Sequence, residues 1–534
     1  MPRSRLVFVV VIAVVLAVAV LTLQRDRATL PDSGASHQSL REHMDVSIAF
    51  WDIGNAFEPK DDVLQHVEQK FNITIDPVQI TMSDYNQKLL MWATSNKLPD
   101  VFAHSIASDS PGIYDEWIKH GLIRPLPEDL TPYPHVDNIA QIPDIRLLKK
   151  NNKLYMLPRI GYPTNRLWML ERVVFVRRDW MKDALIREIR SFHEFSNMLI
   201  TFSNRRSSDA NHDTVGLTAA GMGFLSWALS PTFPQFAAGQ WVLEDAQWIP
   251  FYASRKMDDV VIQLRQLYRE GALDQNFYYM KEDDAVTKFA QGLAGALVYR
   301  ATPNSLRELE DRWNQYQTDT NFHDAVDILH LWPDEEGKRH YYVAQTYWSE
   351  SFFNARLSDE KMNRILKLYD YLLSPEGQRL TSYGLEGIDY EMDGDRIVIT
   401  RPIDEATNRP MPLHDTYPSV PILRSLASWG KETYFRLNES NKMNLGENNI
   451  RKSLAEMEWQ FKHAVATPAY HKINSLSTPA KDKISTLINP LEDLIKVTIG
   501  DGDPLQLWHS YLEQYRKLGL NDAIAEVNEA LRQR

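Results

Sequence analysis

At 534 residues, 43% of them hydrophobic and 24% charged, the chain exceeds the size at which one core stops growing, about 250–300 residues, so two or more lobes are expected. A net charge of −12 gives no reason to expect a nucleic-acid partner, which draws on concentrated Lys and Arg. The lack of any cysteine excludes disulfides, thiolate catalysis, thiolate metal sites and lipid attachment through a thiol.

The first element is apolar. A basic flank, Met1 to Arg5, precedes an uncharged run from Leu6 to Leu23, which Gln24-Arg25-Asp26-Arg27 closes. The run is near the upper length of a secretory signal and just long enough to span hydrocarbon. Residues 1–24 are therefore read as a signal peptide or an uncleaved membrane anchor, and 25–44 as a linker. Either reading places the remainder outside the cytoplasm, at the cell surface or anchored to the membrane.

Folding begins with a strand at Asp45 to Trp51. A helix follows from Asp61 to Phe71, with Val63, Leu64, Val67 and Phe71 at helical spacing, and then a strand at Ile73 to Val78. Residues 83–96 read as a helix capped by Ser83 or Asp84, and Leu98 to Phe102 as a strand. This alternation predicts an α/β lobe with a largely parallel sheet. Segments 152–158 and 173–180 read as extended, near a crossing between lobes. A helix at 257–270, an apolar run at 294–298, a strand-like return at 341–348, a helix at 359–373 and an amphipathic stretch at 505–518 complete the outline. The divisions are 45–165 for the first part of lobe 1, 166–335 for the first part of lobe 2, 336–420 for the return through the hinge, and 421–534 for a mainly helical part that completes the lobes.

No enzyme signature emerges: the sequence has no His-Glu-x-x-His, no Gly-x-Ser-x-Gly and no phosphate loop. The aromatics are more informative. The 14 Trp and 23 Tyr exceed ordinary core filling, and Trp51, Trp168, Trp227, Trp241 and the pair Tyr347-Trp348 adjoin strand ends. Flat rings stack on the hydrogen-rich faces of sugars, although each ring singly also suits a core. Arg159, directly after Pro158 where the chain leaves its first lobe, and Glu386, flanked by Gly384 and Gly387, are candidate polar contacts. Trp180, beside Asp179, reads as structural. Asp209, Asn211 and Asp213 alternate in the way that turns oxygens toward a hard cation, so residues 205–216 are either a metal loop or its remnant.

The residues carry a resemblance. Tyr85 with Leu89-Leu90, Leu98-Pro99-Asp100-Val101, Gly121 to Leu126, Lys153 to Pro158, Val176 to Trp180, Ser374-Pro375-Glu376-Gly377, Tyr383 to Gly387 with Tyr390, and the ending Trp508, Tyr511, Lys517-Leu518-Gly519 keep one order over most of the chain. In this the chain resembles extracellular solute-binding proteins (family 1) of ABC importers, in the LipO-like oligosaccharide-binding lipoprotein group of Paenibacillus and related Firmicutes. The resemblance implies a two-lobe periplasmic-binding-protein-like fold of type II, with a hinge and extra C-terminal helices. It also implies a monomer that closes on an oligosaccharide and delivers it to a membrane permease pair without a chemical step. A membrane-anchored sugar-binding sensory or regulatory protein, and a polysaccharide-degrading enzyme, are the alternatives.

Two departures stand out. The group's lipobox cysteine is missing, so the apolar segment itself retains the protein as an uncleaved anchor, or else the receptor is freely secreted. The group's calcium loop, Asp-x-Asp-x-Asn-Gly-x-x-Asp-x-x-Gly, keeps Asp213, Gly216 and Leu217, but Arg205 replaces its first acid and Ser207 its second. Arg205 is expected to pair with Asp209 or Asp213. The loop is thus read as retaining its fold without its ion; no cofactor is expected, and calcium is the ion to test.

Overall fold

The computed structural model describes residues 42–533 except 52, 81–84, 162–164, 206–213, 238–240, 344, 406–408, 430–434, 438, 469–472 and 474–475. The apolar run Leu6 to Leu23, the proposed caps Ser83 and Asp84, and the oxygen donors Asp209, Asn211 and Asp213 lie outside the described residues. Among the described residues, no helix is long and apolar enough to cross a membrane.

The chain starts with β1 (Met44–Ala49). Helix α1 (Asp62–Phe71) is capped by Asp61, whose carboxylate accepts from the Leu64 N–H at 2.9 Å, satisfying one of the orphan donors of the first turn. Its buried stripe is Val63, Leu64, Val67 and Phe71, as the spacing predicts. β2 (Ile73–Val78) returns parallel to β1. Helix α2 (Tyr85–Thr94) leads to β3 (Val101–His104), also parallel to β1, and later to β4 (Met156–Ile160).

The chain then crosses to a second lobe, built on β5 (Val173–Arg177), β6 (Val215–Thr218), β7 (Ala294–Tyr299) and β8 (Val326–Leu329). β9 (His340–Val343) follows, and β10 (Tyr347–Phe353) returns to the first lobe. There β10 lies antiparallel between β3 and β4, and the sheet order is β2-β1-β3-β10-β4. The sheet is therefore mixed, because the returning strand enters from the opposite end. The second sheet runs β8-β5-β7-β6. β5 and β7 are buried along their whole length, as strands covered on both faces must be.

Two expectations need correction. The extended reading of 173–180 stops at Arg177; Arg178 to Asp183 is helical and carries Trp180. The return at 341–348 is two strands, the first ending at Val343 in the second lobe and the next opening at Tyr347 in the first.

The cores follow this division. One takes side chains from 46–157 and 347–427. The others take them from 174–332 with 473–527, and from 167–343. The chain thus crosses from lobe to lobe between Ile160 and Leu167, between Val343 and Tyr347, and beyond Ala427, and described residues of these passages are bonded to one another. The Gly161 N–H donates to the Thr346 carbonyl at 2.9 Å, and the Trp429 N–H to the Ile160 carbonyl at 2.8 Å. The Thr346 N–H and hydroxyl both reach Asp144, at 2.6 and 3.0 Å.

Glycine identities in the second lobe follow from packing. A Cβ on Gly216, in β6, would meet the Leu199 and Ala272 carbonyl oxygens at 2.5 Å. That contact requires glycine whether or not an ion is bound to the preceding loop.

Candidate functional site

The carboxyl ends of β1, β3 and β4 and the start of β10 lie on one edge of the first-lobe sheet. Ligands of open α/β sheets bind at such edges. Phe50 and Trp51 follow β1, His104 ends β3, Ile160 ends β4, and Tyr347-Trp348 open β10.

A bulge shapes the start of β10. Tyr347 faces Ile160 and Glu350 faces Pro158, so β10 spends one residue more than β4 over this stretch. Ser349 takes up the excess with a positive φ of 60°. Such bulges re-aim side chains. Here Trp348 is 39% exposed between the buried neighbours Tyr347 and Ser349.

Three indoles gather at this point. Trp51 stacks on Trp348 with centroids 5.7 Å apart and planes 18° from parallel. Trp429 lies 4.8 Å from Trp348 and 5.9 Å from Trp51. The Trp429 indole N–H donates to the Trp348 carbonyl at 2.8 Å, which fixes its ring beside the bulge. Phe50 and Tyr85 extend the group, each about one ring from Trp51 (5.0 and 5.2 Å). Each such pair contributes about 0.5–1.5 kcal/mol beyond its burial.

Arg159 lies beneath the rings, fully buried. Its guanidinium is 5.1 Å from the Phe50 centroid, 5.4 Å from Trp51 and 5.5 Å from Trp429. It donates to the Ser349 hydroxyl at 2.7 Å and to the Ser351 hydroxyl at 3.1 Å. Burial pushes its pKa down to about 10, against the opposing pull of Tyr369, Tyr85 and Glu350, so it stays charged at neutral pH. Arg159 therefore supports the aromatic face from below by cation–π attraction.

The second lobe presents a smaller aromatic group beside the crossing. Trp168 stacks on Trp227 (5.7 Å, 28°), and the Arg172 guanidinium lies 3.6 Å from the Phe224 centroid. The Trp168 indole N–H donates to the Gln345 carbonyl at 2.6 Å. Its ring also leaves only 3.2 Å for a Cβ on Gly161, so this indole is wedged against both passages.

The structure thus brings Trp51, Arg159 and Trp348 together, and separately Trp168 and Trp227. Three other candidates fall elsewhere. Trp241 is 4% exposed in the second-lobe core, because its strand forms a hairpin with Gln247–Pro250 whose inner face packs inward. Tyr347 is buried in the first-lobe core, since it precedes the bulge that turns its neighbour outward. Glu386 is exposed and lines an open cavity of about 470 Å³ with Asp62, His66, Glu376 and Tyr390, a cavity that none of the three indoles lines. Arg205 donates to Asp183 at 2.8 Å and lies over the Trp180 ring at 4.9 Å; the acids expected to face it are outside the described residues. Phe50, Tyr85, His104 and Trp429 were not among the sequence candidates. Trp429 carries no strand signal, and only its pairing with Ile160 reveals its place.

Two lobes, three bonded passages and an aromatic face at the strand ends define a two-domain binding protein. Residues 62–385 match the family described as bacterial extracellular solute-binding protein, and the chain belongs to that family. It is 24% identical over 323 residues to Lipoprotein LipO of Bacillus subtilis (strain 168), covering 58% of this chain and 60% of LipO. It is 19% identical over 347 residues to the polygalacturonan/rhamnogalacturonan-binding protein YtcQ of the same organism, covering 63% of this chain and 65% of YtcQ. The match therefore spans less than two thirds of either relative. The structure of the alginate-binding protein AlgQ2 without calcium ion superposes with a TM-score of 0.70 over 92% of this chain and 98% of that one, at 14% identity, a likeness of fold.

Proposed function

We propose that this protein binds an oligosaccharide between its lobes and delivers it to the permease pair of an ABC importer, with no chemical step. The observation that carries this reading is the face formed by Trp51, Trp348 and Trp429 at the strand ends, against the passages between lobes. Indole faces held by a buried cation are suited to stacking on pyranose rings. Closure about the bonded passages would bring Trp168 and Trp227 toward the same ligand, and ligand affinity for the closed form drives such a shift. YtcQ and AlgQ2 are named for acidic polysaccharides, which makes uronate-bearing fragments the first class to try.

Retention at the membrane is assigned to the apolar run Leu6 to Leu23, in place of a lipid-bearing cysteine. The 205–216 loop is read as ion-free. Arg205 brings a guanidinium to the position of the loop's first acid, and it is bonded to Asp183 outside the loop.

A thermal-shift screen of the protein against neutral and uronate oligosaccharides, each with EDTA and with calcium, tests these points. Binding to the folded form raises the melting temperature by mass action. A rise with one sugar class, unaffected by EDTA, is the expected result. A rise that EDTA abolishes would restore the ion to the loop, and measurable release of reducing ends would replace binding by catalysis.

A further inference from the structure

His104 terminates β3 on the same edge as the indoles and was passed over in the sequence. Its ring lies 6.2 Å from that of Tyr85, which in turn lies 5.2 Å from Trp51. The side chain is half-buried. The neighbouring Ser105 N–H donates to Nδ1 at 2.7 Å. An Nδ1 that accepts a hydrogen bond cannot carry the proton of a neutral imidazole, so the proton is on Nε2. Among the described residues nothing accepts from Nε2. Nε2 is not among the buried polar atoms that lack a partner, so its N–H is free to donate to water or to an oxygen of a bound ligand.

We infer that His104 is a specificity-determining contact of the binding site, its Nε2–H donating to a hydroxyl or carboxylate oxygen of a sugar unit next to the one stacked on the indoles. This rests on the oligosaccharide reading given above and adds a named polar contact to it. Burial and one neighbouring cation favour the neutral form, and Glu350 is the one acid among the groups that follow. Tyr85 on α2 is an uncharged phenol whose pKa burial raises. Arg159 on β4 is a buried cation. Glu350 on β10 is the backbone partner of His104 across the sheet. Burial, and then the Arg159 charge, hold the imidazole pKa down to about 4 from an ordinary 6.5. The ring is thus a donor of constant charge from pH 5.5 to 8, and sugar affinity through it should be flat over that interval.

The test is calorimetric titration of the full-length protein and its His104→Gln, His104→Asn and His104→Phe variants with two probes, trigalacturonate and maltotriose, the first offering carboxylates and the second hydroxyls only. Gln places an N–H where Nε2–H stands, Asn places one near Nδ1, and Phe keeps a ring without a donor. Thermal melts establish that each variant is folded. The expected result is that the probe bound by the wild type loses at least fivefold in affinity with Phe and with Asn, while Gln stays within twofold. Trigalacturonate binding alone assigns the acceptor as a carboxylate, and maltotriose binding as a hydroxyl. Folded variants that all bind like the wild type would overturn the contact and leave the sugar-binding reading in place. Affinity that changes with a midpoint near pH 6.5 would overturn the neutral tautomer. If the folded wild type binds neither probe and shifts its melting temperature with no sugar of the thermal-shift screen, the oligosaccharide reading falls and this contact with it.

Discussion

Three tryptophans of the second lobe and three of the first have opposite fates. Trp313 and Trp508 in the second lobe are fully buried, and Trp241 nearly so. The Trp313 indole N–H is satisfied by the Thr320 carbonyl at 2.8 Å, and the Arg177 guanidinium lies 4.7 Å from its centroid. In the first lobe Trp51 and Trp429 also have a guanidinium near their rings and the Trp429 indole is bonded to backbone, yet with Trp348 they sit at the sheet edge. Ring chemistry and cation partner are alike in both places. The difference is the backbone: Trp241, Trp313 and Trp508 project from elements whose faces are covered, whereas Trp51, Trp348 and Trp429 project from a strand end, a bulge and a passage between lobes. The same residue type is core in one setting and available to a ligand in the other.

Substitutions can break or sharpen this contrast. The largest effect is expected at Trp241: its replacement by Ala should destabilise the protein by about 3–5 kcal/mol, as large-to-small core changes do, with unchanged sugar affinity in the fraction that stays folded. Denaturant midpoints and calorimetry at low temperature check this; weakened affinity with intact stability would move Trp241 into the site. Arg159→Leu should cost about 3 kcal/mol by stranding the buried hydroxyls and carboxylate it faces, and it should loosen the indoles, read as a red shift of their fluorescence.

A third expectation concerns pH. The His104 pKa is lower in the folded chain, about 4, than its ordinary 6.5. Below pH 6.5 the unfolded chain therefore takes up a proton that the folded chain refuses. Stability from this residue is complete above about pH 7, declines as pH falls, and is lost by about pH 4, a total of roughly 3 kcal/mol. The difference between wild type and His104→Gln, followed by denaturation from pH 7 to pH 4.5, isolates it from the other titrating groups; parallel curves would contradict the shifted pKa. Trp348→Ala should leave the protein folded, with a stability loss of about 1–3 kcal/mol from its two ring pairs, and weaken sugar binding by about 1 kcal/mol or more. The smallest effect belongs to Glu386→Ala, which should alter neither stability nor sugar affinity beyond about 0.5 kcal/mol. A clear loss of affinity there would bring the Gly384 to Gly387 turn back into the site.

Much of the framework was legible along the chain because local periodicity carries it. The stripe Val63, Leu64, Val67, Phe71 gave its helix, and Ile73 to Val78 its strand. The helix at 359–373 spans the same residues in both readings. Trp51 and Trp348 stand at strand ends, as the sequence places them, and their rings meet there. Trp241 and Tyr347 are buried in the cores, and adjacency to a strand does not say which face is covered. His104 and Trp429 were missed because each is defined by a partner far away in sequence: Glu350 across the sheet for one, Ile160 across the hinge for the other.

The sequence by itself determined the elements, the likeness to solute-binding proteins and the supply of indoles, since these depend on residue type and short-range spacing. Only the tertiary structure decided which indoles form a face, that a one-residue bulge at Ser349 turns Trp348 outward, and that Arg159 is a buried support beneath the rings. Those outcomes depend on register between strands up to about two hundred residues apart, and a one-residue shift in register exchanges the buried and exposed sides of a strand.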